Sequence, residues 1–89
     1  EITYTIAGPI CESTDILAKN VKLPAQTKDN FLIICDVGAY GSVMASNYNS
    51  KCLPAEVLVN QNKYAIIRKQ ENFQNIIDRD KLAHWQQIN

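Results

Sequence analysis

A thiol and a carboxylate stand side by side at Cys11 and Glu12, inside "GPICESTD", residues 8–15. Cys11 has two readings. It packs as a small hydrophobe, the ordinary fate of a lone cysteine, or it is exposed and moves a proton. A neighbouring carboxylate disfavours the thiolate, so in the second reading Cys11 acts as a proton-donating acid and not as a nucleophile. Glu12 is either a solvated surface charge or a carboxylate that recognises an amine. Gly8 and Pro9 are expected to fix a turn that brings both side chains to one place. A second constellation is "CDVGAYGSVM", residues 35–44. Here a strand is expected to break at Asp36 and Gly38 and lead into a helix N-terminus, whose free N–H groups and positive dipole suit an anion. Tyr40 falls in the first turn, where its hydroxyl adds a donor to a phosphate, and Gly38 and Gly41 allow a close backbone approach. The plainer alternative is a strand-to-helix junction with Tyr40 as a half-buried core aromatic.

The elements that must position these residues are mainly β with short helices. Ile2, Tyr4 and Ile6 alternate with Thr3 and Thr5, the period of a half-buried strand. Gly8-Pro9 ends it, and Ser13, Thr14 and Asp15 are placed to bond local backbone in a loop. "DILAKNVKLP" is compatible with helix or strand. "FLIIC", residues 31–35, is a continuous apolar run and predicts a strand buried on both faces, Cys35 included. Residues 39–49 predict a short helix that ends around Asn47–Ser50. "AEVLV", "NQN" and "KYAIIR" predict a hairpin over residues 56–68. Phe73, Ile76 and Ile77 share a helical face, and Leu82, Trp85 and Ile88 are spaced like a weakly amphipathic helix.

Nine basic and nine acidic residues cancel in a chain of 89. That length suits one small domain, and the balance argues against a nucleic-acid surface or an anionic-membrane patch. No apolar run approaches the ~20 residues of a membrane span, and no signal-peptide pattern is present. Cys11, Cys35 and Cys52 are odd in number, without C-x-x-C, beside the one histidine, His84. This argues against a metal site and a disulfide framework and fits reduced thiols in the cytoplasm. The chain begins "EITYTI", already strand-like and without Met, which reads as a piece of a longer chain.

Taken in order, "GPICESTD", "LP" and "DVGAYGSVMASNYNSKCLPAEVLV" resemble the C-terminal region of the diaminopimelate decarboxylase family, from about residue 4 to about residue 77. The related ornithine and arginine decarboxylases usually carry C-D-G after the G-P and F-N-G in place of "NYNS". Glu12-Ser13 and Tyr48-Asn49 therefore favour the diaminopimelate enzymes. The resemblance implies a two-domain pyridoxal-phosphate enzyme of the alanine-racemase fold type. Residues 1–89 would be part of its β-barrel or β-sandwich-like C-terminal domain, and the (α/β)8 barrel with the cofactor lysine would lie outside this chain. The implied reaction is decarboxylation of meso-diaminopimelate to L-lysine and carbon dioxide, the last step of lysine biosynthesis.

Under this resemblance Cys11 is the donor of the proton that replaces the lost carboxyl group. Glu12 binds the substrate near an amino group. Tyr40 binds the cofactor phosphate and borders the substrate. Cys11 and Glu12 would reach the site of a partner subunit while Tyr40 serves the cofactor of its own chain, so the enzyme would be a homodimer. Some positions depart from the family pattern. Lys28 stands where a glycine usually precedes Asp29, Cys52-Leu53 replaces an Arg-Pro-like pair, and the tail from Asp80 is longer. The chain lacks the family's cofactor lysine, glycine-rich phosphate segment and distal-carboxylate arginines, and so is expected to be inactive alone. The alternatives are a decarboxylase for ornithine, arginine or lysine, and a non-catalytic β-domain for binding or assembly.

Overall fold

The alternating N-terminal residues do form a strand. In the computed structural model, which describes residues 1–86, β1 spans Ile2–Ala7 and pairs antiparallel with β2, Ile16–Leu23. The register sets Ile2 opposite Leu23, Tyr4 opposite Val21 and Ile6 opposite Ala18, so these side chains share one face. Between the last two pairs β2 carries an extra residue, and Asn20 there has φ 58°, a left-handed conformation that asparagine tolerates in a bulge. The Tyr4 hydroxyl accepts a hydrogen bond from the Gln26 N–H at 2.7 Å, tying the chain beyond β2 back to β1. The segment "DILAKNVKLP", compatible with either structure from its pattern, is thus a strand because it has β1 to pair with.

The chain divides into two units, Glu1–Cys35 and Asp36–Asn89. The first holds the β1–β2 hairpin. In the second, α1 (Gly38–Met44) leads through a 3-10 turn at Tyr48–Ser50 to a second hairpin, β3 (Glu56–Asn60) and β4 (Lys63–Arg68). The pairs Val57–Ile66 and Val59–Tyr64 share one face of that ribbon, and Gln61-Asn62 turn it. Helix α2, Phe73–Ile77, starts with a reciprocal cap. Asn72 Oδ1 accepts from the Asn75 N–H, and Asn75 Oδ1 accepts from the Asn72 N–H, both at 2.9 Å.

Two expectations need correction. "FLIIC" is not a strand. Residues 31–35 make no ladder, and Phe31 and Ile33 are 95% and 88% exposed. Cys35 is exposed with them. A continuous apolar run states that burial would be favourable, but it does not supply the neighbouring strand that burial needs. Among the described residues of the tail, regular structure is limited to a 3-10 turn at His84–Gln86, where His84 and Trp85 meet edge to face at 4.9 Å. Ile88, the third residue of the expected amphipathic face, lies outside the described residues.

Burial is slight throughout. Among the described residues no side chain is fully buried. The chain exposes 8508 Å², whereas two separate compact bodies of these sizes would together expose roughly 6,300 Å². The mainly β class with short helices holds, and each sheet is a two-stranded ribbon, a form that is marginal in water without a further layer.

Among the described residues six non-glycine positions have left-handed backbone: Asn20, Asp29, Asp36, Asn49, Ser50 and Gln61. Asn and Asp adopt it readily. At residues 28–29 the left-handed position is Asp29, so Lys28 sits in place of a glycine without strain of this kind. Asn49 and Ser50 are the demanding case, being consecutive, with φ 56° and 58°. For Ser50, which lacks the tolerance of asparagine for this region, the cost is on the order of 1–2 kcal/mol, so something nearby must hold the pair.

Candidate functional site

The loop between β1 and β2 is ordered by its own polar groups. Its mouth closes where the Gly8 N–H donates to the Asp15 carbonyl at 2.9 Å. Cys11 is the central residue of a γ-turn in which the Glu12 N–H donates to the Ile10 carbonyl at 2.8 Å. A β-turn spans residues 12–15, closed by the Asp15 N–H on the Glu12 carbonyl at 3.1 Å. The Asp15 carboxylate reaches back across the loop and accepts from the Ile10 N–H at 2.9 Å. These bonds fix the backbone on both sides of Cys11. Its side chain is exposed in this chain, and none of these bonds uses the thiol.

Glu12 turns onto its own loop. One carboxylate oxygen, Oε1, accepts from the Thr14 N–H at 3.1 Å and from the Thr14 hydroxyl at 2.8 Å. The Thr14 N–H, and after it the Thr14 hydroxyl, holds the Glu12 carboxyl below the usual glutamate range. Slight desolvation works the other way, and the Ser13 hydroxyl adds a smaller downward contribution. Glu12 is therefore an anion at neutral pH and stays one somewhat further into acid than an isolated glutamate. The contacts with Thr14 are present above the ordinary glutamate value and are lost as pH falls through the lowered one. Both Thr14 bonds fall on Oε1, and the carboxylate as a whole is exposed, which lets it meet a cation.

Gly8 is required by a close approach. A Cβ at this position would run into the Asp15 carboxylate, the group that holds the Ile10 N–H. Gly8→Ala is expected to push that carboxylate away and leave the loop slack, at a cost of about 1–2 kcal/mol from the lost charged hydrogen bond. Denaturant unfolding of Gly8→Ala beside Asp15→Ala, which removes the acceptor for the Ile10 N–H, checks this, because the two should shift the midpoint in the same direction.

Tyr40 belongs to the other unit. It is the third residue of α1 and is 74% exposed in this chain. No strand leads into α1. The helix comes after Asp36, at φ 61°, and its N-cap Val37 offers no side-chain bond to the first turn. Both glycines of α1 lack positive φ, and a Cβ on Gly38 would meet nothing within 4 Å. Neither backbone conformation nor packing within the described chain accounts for glycine at that position.

Two sets of contacts hold α1 and the turn after it. Arg68 on β4 pairs with Glu56 on β3 at 2.9 Å and donates to the Ser42 hydroxyl at 3.2 Å. The Glu71 carboxylate accepts from Asn47 Nδ2 at 2.6 Å and from the Leu53 N–H at 3.0 Å. Sequence reasoning did not find Ser42, Arg68, Asn47 or Glu71 as positioning groups, because their separations of 18–26 residues leave no local pattern. Cys11 and Glu12 thus share one ordered turn, while Tyr40 stands on a separately anchored helix.

Comparisons with known proteins bear on both units. Residues 1–38 match the family model described as the C-terminal sheet domain of pyridoxal-dependent decarboxylases. The chain is 42% identical over 85 residues, 96% of its length, to a diaminopimelate decarboxylase of Archaeoglobus fulgidus. It is 42% identical over 80 residues, 90% of its length, to that of Zymomonas mobilis, and 45% identical over 73 residues, 82% of its length, to that of Neisseria meningitidis serogroup A. These matches span 20%, 19% and 18% of the three relatives, so the chain covers about a fifth of their length. No solved structure matches it.

Proposed function

Because this chain belongs to the pyridoxal-dependent decarboxylase family, we propose that it forms the C-terminal part of an enzyme that converts meso-diaminopimelate to L-lysine and carbon dioxide. The observation that carries this reading is the 42% identity to a diaminopimelate decarboxylase across 96% of the chain. Slight burial supports it, since 22 large apolar side chains are exposed among the described residues and the rest of such an enzyme would cover them. The three free thiols suit a reducing cytoplasm.

Pyridoxal phosphate, when bound, supplies the electron sink that lets the carboxyl group leave. The residues present fit one edge of its phosphate. Tyr40 offers an exposed hydroxyl with no hydrogen-bond partner among the described residues, and the open space at Gly38 admits a close neighbour. Glu12, anionic and exposed, binds an ammonium group of the substrate and orients it. The Cys11 thiol donates its proton to the carbon that has lost carbon dioxide. The resulting thiolate recovers a proton from water, which its exposure allows. Cys11 and Glu12 serve the site of a partner subunit and Tyr40 serves its own, which makes the working enzyme a homodimer.

Tyr40→Phe removes one charge-assisted hydrogen bond and is expected to raise the half-saturating pyridoxal phosphate concentration about tenfold, read by visible absorbance. The experiment that tests the assignment is a substrate panel on the full-length enzyme. Meso-diaminopimelate is expected to be preferred over ornithine, arginine and lysine by kcat/KM. Preference for any of the other three would overturn it.

A further inference from the structure

The strained turn after α1 is held by one carboxylate. Glu71 closes the loop at both ends, accepting from Asn47 Nδ2 on one side and from the Leu53 N–H on the other. Its own N–H donates to the Leu53 carbonyl at 3.1 Å, so Glu71 and Leu53 are joined twice. Asn47 spreads the clamp. Its Nδ2 also donates to the Lys51 carbonyl at 2.8 Å, and its Oδ1 accepts from Arg79 Nη2 at 3.0 Å. The consecutive left-handed residues Asn49 and Ser50 lie between these fixed points. Half-buried Glu71 is thus the common partner of both ends of a segment whose backbone would otherwise relax.

We propose that Glu71 is a positioning residue for α1 and Tyr40. The loop it closes begins three residues after Met44, the end of α1, and Arg68 restrains the same helix at Ser42. With Glu71 in place the C-terminal end of α1 has one direction. Without it Asn49 and Ser50 leave the left-handed region, the loop reopens, and the helix carrying Tyr40 loses that anchor. This inference rests on the assignment of Tyr40 to the cofactor phosphate.

The test is a set of variants of the full-length enzyme read by thermal unfolding and by pyridoxal phosphate titration. Glu71→Ala should lower Tm and raise the half-saturating cofactor concentration about tenfold. Glu71→Gln keeps an acceptor oxygen for both donors and should stay within about twofold of the parent. Ser50→Gly, which makes the left-handed conformation easy, should recover most of the loss in the Glu71→Ala background. Simple addition of the two effects would overturn the clamp, as would a Glu71→Ala protein with unchanged Tm. Raised half-saturation in Tyr40→Phe with none in Glu71→Ala would overturn the positioning role alone. No effect in Tyr40→Phe would remove the assignment of Tyr40 and the positioning role with it.

Discussion

Cys11→Ala in the full-length enzyme is expected to lower kcat by about 10²–10⁴-fold, the range supplied by a positioned general acid, while pyridoxal phosphate binds as before. The turn at Cys11 is closed by backbone bonds of Ile10 and Glu12 and by the Asp15 carboxylate, none of which uses the thiol. Removing the sulfur therefore leaves the loop in place and takes away only the proton. The thiol is exposed in the chain taken by itself, so its deletion opens no cavity and should shift stability little. KM for meso-diaminopimelate should also change little, because in the proposed reading Glu12 and not Cys11 binds the substrate. Normal turnover in Cys11→Ala would remove the proton-donor role.

Glu12→Gln is expected to act on the other kinetic constant. Replacing the anion by an amide loses the charge-assisted contact with a substrate ammonium and should raise KM about 10- to 100-fold, with a smaller change in kcat. The pH dependence gives the sharper signature. Thr14 holds the Glu12 carboxyl below its ordinary range, so substrate affinity in the parent should persist into mildly acidic solution and fall only below that range. Thr14→Val removes the hydroxyl donor and keeps the backbone one, so the acidic limb should move partway back up towards the ordinary glutamate value. A limb that stays in place in Thr14→Val would show that Glu12 is not the group being titrated. Unchanged KM in Glu12→Gln would show that another group binds the amine.

Local signals were legible where local physics decides. The alternation at Ile2, Tyr4 and Ile6 corresponds to β1, and the polar residues between "AEVLV" and "KYAIIR" correspond to the turn of the β3–β4 ribbon. The loop at residues 8–15 was legible in kind, since Thr14 and Asp15 do bond local backbone and side chains. Other features depend on partners far along the chain. Asn47 meets Glu71 across 24 residues, and Arg68 meets Ser42 across 26, and no period or motif marks either pair. "FLIIC" fails for a related reason. Its five apolar residues specify that they favour burial, but the strand that would pair with them is not among the described residues. Cys11 and Glu12 were singled out because their residue types carry chemistry, whereas the contacts of Glu71 with Asn47 and Leu53 lie 24 and 18 residues apart and leave no local signal.

Carbon dioxide release from meso-diaminopimelate by the full-length enzyme, with pyridoxal phosphate supplied or withheld, tests the central claim most directly. Release that depends on the cofactor is the predicted result, and it would make the Cys11–Glu12 turn and Tyr40 parts of a working decarboxylase. A full-length protein that binds pyridoxal phosphate but releases no carbon dioxide from this substrate, or that binds no cofactor at all, would contradict it.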